Sequence, residues 1–378
     1  MSMYGSLGTV LVTGGSGGLA SQVLRQLSTS EGTALHSIDI KPPSEPINNV
    51  TYHLADLTDY GALRAVFEQV RPEVVFHTAS PRFDSPRDIM FAVNVEGTEK
   101  LVKVAKEFGT QSFIYTSSAS VISDGKTDLM GADETYPLVI GAQQPEYYTH
   151  TKALAESFVL SQNRPSSPST PAFQTCALRP SGIIGVGDLT VLPGMVETYY
   201  AGRTKVQLGS NRNLFDFTAN TNVAHAHCLA ASKLRQHRTL PGSQPLEPAL
   251  RVDGEVFIIT NDEPRYFWSL MRRVWQIAGD KTRLEEVFVI SRFWAMVLAA
   301  VVEWVFWIFR LGNPPLTRTV VRLACMTRWF CIDKAKTRLG YETLVSLDEA
   351  LVVGVEDCIR RREDKKRVLE KEGRAKEA

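Results

Sequence analysis

Residues 9–27 read TVLVTGGSGGLASQVLRQL: a β-branched run, a glycine-rich turn and a stretch with helical apolar spacing, in that order. Gly14, Gly17 and Ala20 occupy the three fixed positions of G-x-x-G-x-x-G/A, with Gly18 beside them. Such a turn needs glycines because it is tight and because a pyrophosphate must come close to backbone N–H groups at a helix N-terminus, where the helix dipole favours an anion. Ala20 still lets the helix pack closely on its strand. The stretch therefore predicts a strand–turn–helix unit that binds a dinucleotide. The second strand ends at Asp39, where a carboxylate accepts hydrogen bonds from adenosine ribose hydroxyls and repels a 2′-phosphate. NAD is the expected cofactor, and NADP stays open because Lys41 follows directly and softens that repulsion. Asp56, at the end of the third strand, is a candidate adenine neighbour by position alone.

Outward from this unit, short strand-like runs alternate with helical patterns. Thr9 to Val12, Leu35 to Ile40, Tyr52 to Ala55, Val74 to Thr78, Phe113 to Thr116 and Thr175 to Leu178 read as strands. Gly17 to Leu27, Tyr60 to Gln69, Asp88 to Phe108 and Tyr147 to Leu160 carry apolar residues at three- and four-residue spacing and read as helices. Strands separated by helices imply parallel βαβ units. The expected fold class is α/β, a Rossmann-like doubly wound parallel sheet with a smaller C-terminal substrate lobe. Residues 1–180 are expected to hold the dinucleotide core and the catalytic residues. Residues 181–378 are expected to form mainly the substrate lobe, ending in a charged tail at 360–378. Two Pro- and Ser-rich stretches, Gln162 to Pro171 and Gln236 to Pro248, read as surface loops, and Asp124 to Gln144 as a lid over the pocket.

Tyr148 and Lys152 are four apart in the helical pattern YYTHTKALAES, so they share one face and can reach one reacting group. A phenol with a pKa near ~10 is a poor base at neutral pH, but an adjacent ammonium is expected to stabilise the phenolate and lower that value. Tyr148 can then take a proton from an alcohol as hydride leaves its carbon. Ser118, in the strand-end sequence FIYTSSAS, can hold the same oxygen, with its neighbour Ser117 as the alternative.

The ordered set T-G-G-x-G, V-F-H-T-A-S (Val75 to Ser80), N-V-x-G-T (Asn94 to Thr98), T-S-S-A, Y-x-x-x-K and L-R-P (Leu178 to Pro180) resembles the extended short-chain dehydrogenase/reductase family. FDFTANTNVAHAHCLAA (215–231), EWVFWIFRLGNPPLTR (303–318) and KAKTRLGYETLVSLDEAL (334–351) resemble its 3β-hydroxysteroid dehydrogenase/isomerase branch. The resemblance implies catalysis by Ser118, Tyr148 and Lys152, the last also gripping the nicotinamide ribose. It places the cofactor against Gly14, Gly17, Gly18, Asp39, Asp56, Tyr148, Lys152 and Pro180. Asn94 fits an asparagine that such folds keep near the site, or else one that ties the helix backbone. Thr221 departs from a Val-Asp pair common in the branch, which bears on local substrate contacts. The implied reaction is oxidation of a 3β-hydroxyl to a 3-ketone on a sterol or related triterpenoid, including a 4α-carboxysterol that then loses carbon dioxide. Arg82 or Arg87 is a candidate receiver for that carboxylate. The alternatives are a 3β-hydroxysteroid dehydrogenase/isomerase, a terpenoid-tailoring dehydrogenase and, from another class, a dinucleotide sensor without turnover.

Composition agrees with a lipid substrate. In 378 residues the apolar fraction is 44%, the charged fraction 22% and the formal charge +1, a balance that gives no reason to expect nucleic acid as a partner. All six tryptophans fall in the last third, around an apolar run from Phe293 to Phe309 broken only by Glu303. A span would bury that carboxylate at a cost of about 2.5–3.5 kcal/mol, so segment 292–311 is expected to lie in a membrane interface rather than cross it. Arg292 and Arg310 bracket the run and Trp294, Trp304 and Trp307 suit an interfacial belt. The expected location is the cytoplasmic face of the endoplasmic reticulum membrane, with a homodimer or other sterol-pathway enzymes as further partners. The five scattered cysteines fit a reducing compartment, and the N-terminus lacks the features of a secretory signal. No metal site is expected: His225 and His227, two apart on a helix, point to different faces and lack further ligands.

Overall fold

The computed structural model describes residues 3–164, 172–239 and 247–377. Seven strands form one parallel sheet in the order Val256–Ile259, Gln174–Pro180, Ser112–Thr116, Val74–His77, Gly8–Thr13, Thr33–Asp39 and Val50–Leu54. Val10 and Val12 face one apolar layer with Leu24, Ile114 and Leu234, while Leu11 faces the other with Phe67, Leu101 and Phe113. Helices on both faces explain why the central strands Gly8–Thr13, Val74–His77 and Ser112–Thr116 are buried without alternation. Strand order reverses beside Gly8–Thr13, and the loops at the carboxyl ends of Gly8–Thr13, Val74–His77, Ser112–Thr116 and Gln174–Pro180 converge on one crevice, where such sheets bind ligands.

Every expected strand and helix of the first half is present, with ends shifted by a few residues. One helix is not continuous. Asp88 to Phe108 divides into Arg87–Phe91, a π-helical turn Ala92–Gly97 and Thr98–Glu107. Apolar periodicity runs through both helix types, so the wider turn leaves no mark in the sequence. The chain beyond residue 180 also contributes to the core. Helix Asn220–Thr239 packs on Gly18–Leu27, and strand Val256–Ile259 pairs with Gln174–Pro180, so the chain returns twice to the dinucleotide core. Parts of both expected surface loops, residues 165–171 and 240–246, lie outside the described residues.

The lobe has its own apolar core around helices Val191–Tyr200, Phe267–Ile277 and Leu347–Glu377, into which Trp268 and Trp275 are sunk. Their indole N–H groups donate to the carbonyls of Leu208 and Met195, at 2.7 and 2.9 Å. Five of the six tryptophans thus fall into two groups, Trp268 and Trp275 at 7% and 1% exposed and Trp294, Trp304 and Trp307 at 62–76%, with Trp329 half-buried between them. The charged tail is the end of Leu347–Glu377, a helix that begins inside the lobe core. The expected lid is tied down instead. Its strand Leu129–Ala132 pairs with Arg328–Phe330 in a four-stranded lobe sheet, Asp128 accepts from the N–H of Thr327, and Glu134 from that of Ile258.

Candidate active site

The dinucleotide turn is shaped by contacts a side chain would spoil. Gly14 has φ +78°, and a Cβ there would stand 2.8 Å from the Ala79 Cα. A Cβ on Gly18 would meet the Gly187 carbonyl at 2.8 Å, so the turn and the 185–187 loop touch backbone to backbone. Helix Gly18–Leu27 starts on Gly17 with no side chain capping it, which leaves its first N–H groups for an anion. Asp39 accepts from the N–H of Ser16 at 2.9 Å and from that of Lys41 at 3.3 Å, which holds its carboxylate against the turn. These features fit a dinucleotide. Asp56 is exposed, accepts from the N–H of Thr58, and borders neither cavity at the turn nor the catalytic crevice. Nothing in the sequence points to Asp357, which accepts from the N–H of Gly187 at 2.8 Å and so pins that loop from the C-terminal helix.

The crevice holds a cavity of about 400 Å³. Gly18, Ser80, Ser117, Ser118, Tyr148, Lys152 and Pro180 all border it, so the expected catalytic residues and the cofactor turn meet in one space. Ser118 sits at the start of a 3-10 turn, where its Oγ accepts from the N–H of Ser120 at 3.1 Å, leaving its hydrogen free to donate. Ser117 is buried, with no hydrogen-bond partner for its Oγ among the described residues. Tyr147, the neighbour most easily mistaken for Tyr148, lies outside the cavity beneath the Arg87 guanidinium.

Buried pairs fix the helix Tyr147–Ser161. Glu156 and Arg179 form a two-pronged ion pair at 2.6 and 2.9 Å that ties it to the strand end at Pro180. Asn94, on the π-helical turn, donates to Thr151 Oγ1 at 2.9 Å and accepts from Ser80 Oγ at 2.9 Å. Ser80 Oγ also reaches the Tyr148 hydroxyl at 3.4 Å, so Asn94 acts on the site through two neighbours rather than directly. His77 bridges Thr13 and Thr98, at 2.8 and 2.9 Å, and links the cofactor strand to the same turn.

The electrostatics depart from the expectation. Burial, not Lys152, dominates Tyr148 and holds its phenol above the ordinary value. Burial also pushes Lys152 down to about 7, against the opposing pull of the Glu156 carboxylate. The ammonium stands 4.5 Å from the centroid of the Tyr115 ring. Spacing predicted that the two groups share a helix face, but desolvation is a property of the assembled crevice.

Arg82 borders the cavity at its exposed rim, where Asp84 and the Leu189 carbonyl take its donors, and Arg87 is stacked on Tyr147. Neither is a free cation facing the cavity. Thr221 does not border the cavity, and its backbone carbonyl accepts from Gln26 of helix Gly18–Leu27 at 2.8 Å. His225 meets Tyr4 and His227 meets Thr116, each within the core. Arg328 and Phe215, which sequence reasoning did not single out, complete the far wall of the cavity.

Residues 11–289 match the model of the 3-beta hydroxysteroid dehydrogenase/isomerase family. The chain is 37% identical to the sterol-4-alpha-carboxylate 3-dehydrogenase erg26, decarboxylating, of Schizosaccharomyces pombe, over 91% of this chain and 96% of that one. It is 38% identical to the protein of the same description in Saccharomyces cerevisiae, over 91% and 95%. Among solved structures, that of gox2253 superposes with a TM-score of 0.70 at 26% identity, covering 93% of this chain and 98% of the other.

Proposed function

Because this chain belongs to the 3-beta hydroxysteroid dehydrogenase/isomerase family, we propose that it oxidises the 3β-hydroxyl of a 4α-carboxysterol with NAD and releases carbon dioxide. The observation that carries the reading is the convergence of Ser118, Tyr148 and Lys152 with the glycine turn on one cavity, walled on its far side by Phe215. NAD, when bound, supplies the hydride acceptor. Ser118 donates to the reacting oxygen and holds it. Tyr148 takes the hydroxyl proton, and Lys152 holds the nicotinamide ribose and bears charge beside the phenol. The Arg179–Glu156 pair and Asn94 keep these groups in register. Oxidation leaves a 3-keto acid. Its C4–carboxyl bond breaks, the electron pair passes to the ketone oxygen as an enolate, carbon dioxide leaves, and a proton returns at C4. No side-chain base is required for that second step. The test is to supply the purified protein with NAD and a 4α-carboxy-3β-hydroxysterol and to follow reduced cofactor and carbon dioxide. They are expected in equal amounts, and no cofactor reduction with any 3β-hydroxysterol would sink the reading.

A membrane interface as the working surface is part of the same proposal. Helix Arg292–Phe309 seats Ala295 and Ala299 on the lobe and leaves Phe293, Trp294, Val301, Trp304 and Trp307 exposed, a patch soluble surfaces seldom carry. Glu303 accepts from both the backbone N–H and the Nε of Arg318, at 2.7 and 2.6 Å, so its charge is paired. A paired carboxylate costs less to place beside an interface than a bare one. The cytoplasmic face of the endoplasmic reticulum suits an enzyme that takes sterols from a bilayer. Flotation with phospholipid vesicles should carry the wild type up and leave a Trp294→Glu/Trp304→Glu/Trp307→Glu variant behind; equal flotation would refute the attachment.

A further inference from the structure

Arg292 opens the exposed lobe helix Arg292–Phe309, Glu303 stands in it and Arg310 closes it. At 3.6 residues per turn the three positions fall within about 20° of one line along the helix. That line borders the strip through Ala295 and Ala299, which is buried against the lobe. It lies about a third of a turn or more away from the outer face made by Trp294, Val297, Leu298, Val301 and Trp304. Helix Arg318–Cys325 runs along the same edge: Arg318 pairs with Glu303 at 2.6 Å, Arg322 adds its field to that carboxylate, and Arg292 acts on Cys325.

Cations therefore outnumber acids along one edge of an aromatic helix. From residue 292 to residue 322 the chain carries four arginines and one acid, Glu303, although its formal charge as a whole is only +1. Glu303 answers Arg318. Arg292 and Arg310 are exposed and Arg322 is half-buried, and among the described residues none of the three has a carboxylate within ion-pair distance. Arg310 stands there at a backbone cost: it closes the helix at φ +51°, the left-handed conformation that glycine usually supplies. Unpaired cations beside an apolar face match a surface that is apolar at one depth and anionic just above it. With the outer face sunk about 5–10 Å into the acyl boundary, the opposite flank of a helix about 10–12 Å across stands at the depth of the phosphates. Zwitterionic headgroups offer three guanidinium groups no net charge, whereas an anionic leaflet does, and each arginine near it adds to the attraction.

We propose that Arg292, Arg310 and Arg322 bind the headgroups of anionic phospholipids, so that the chain docks on negatively charged membranes in preference to neutral ones. The assignment rests on the membrane-interface reading above, and the experiment separates the two. Partition of the full chain is titrated onto two kinds of vesicle, phosphatidylcholine alone and phosphatidylcholine with about a third phosphatidylserine. The wild type should bind both, the anionic vesicles at least tenfold more tightly, and high salt should close the gap. Arg292→Gln/Arg310→Gln/Arg322→Gln should bring the ratio to within about threefold of unity and leave binding to neutral vesicles as in the wild type. Lys365→Gln/Lys366→Gln/Arg367→Gln removes as much charge from the exposed tail and should keep the wild-type ratio. Retention of NAD binding by both variants shows that they are folded. A wild type that binds the two vesicles alike, a preference that survives in the Arg292/Arg310/Arg322 variant, or one abolished by the tail variant instead, overturns the assignment while leaving the attachment standing. A chain that binds neither vesicle and sediments as a dimer gives the aromatic face to a second copy and refutes both.

Discussion

The two sides of the catalytic cavity are built on different plans. The cofactor side comes from one contiguous segment: strand Gly8–Thr13, the turn through Gly14, Gly17 and Gly18, and the helix behind it. The substrate side is gathered from Arg82 and Phe83 on one loop, Leu189 on another, Phe215 on a short lobe strand and Arg328 more than a hundred residues later. Only the middle, where Ser118, Tyr148 and Lys152 stand, is served by both. Local backbone geometry can hold a pyrophosphate because that ligand is recognised by N–H groups and a helix terminus. A rigid lipid offers few such handles and is recognised by an apolar wall and a few placed polar groups, which any segment can supply.

If the middle is shared, damage there should be felt by every substrate. Tyr148→Phe keeps the ring and removes the proton acceptor, so kcat should fall by about 10²–10⁴ for carboxylated and carboxylate-free sterols alike, with NAD affinity nearly unchanged. Stopped-flow measurement of cofactor reduction reads this directly, and unaltered rates would remove Tyr148 from the chemistry.

Damage on the cofactor side should be specific to the dinucleotide. Gly14→Ala forces a left-handed backbone on an L-residue and drives a methyl onto Ala79. A loss of about 1–3 kcal/mol is expected, seen as weaker NAD binding and a lower Tm. On the substrate side, Phe83 is exposed at the cavity rim. Phe83→Ala gives up part of one ring's burial against sterol, about 1 kcal/mol, so sterol KM should rise several-fold with no change in NAD affinity. An effect of Phe83→Ala on NAD binding would blur the division between the two sides.

The same contrast governs what could be read from the sequence. The turn was legible because strand, glycines and helix are adjacent and each signal supports the next. The Tyr148–Lys152 spacing was legible because helix geometry is local. Val256–Ile259 was not, since four apolar residues suit a buried strand and a buried helix segment equally. Arg328 carried no signal either: an arginine in TRWF looks like any surface arginine until Leu129–Ala132 and Leu214–Phe215 close around its strand. The lid expectation for Asp124–Gln144 failed for the same reason, because its strand partner lies about two hundred residues away.

The smallest effect tests the shared middle most closely. Lys152 is ordinarily protonated up to about 10.4, but burial in this crevice brings it down to about 7. Between those values the folded protein binds fewer protons than the unfolded chain, so Lys152 makes stability rise with pH across that window. Ribose hydroxyls accepting hydrogen bonds from the ammonium would favour its charged form and raise its pKa in the complex. NAD binding should then take up a fraction of a proton at pH 8 and almost none at pH 6, where Lys152 is already charged. Affinity should weaken as pH rises through 7, by less than tenfold per unit. Calorimetry of NAD binding at pH 8, in buffers of low and high ionisation enthalpy, measures the uptake. Lys152→Met should abolish it. An uptake that survives in Lys152→Met would belong to another group, and no uptake in the wild type would mean that Lys152 does not hold the cofactor.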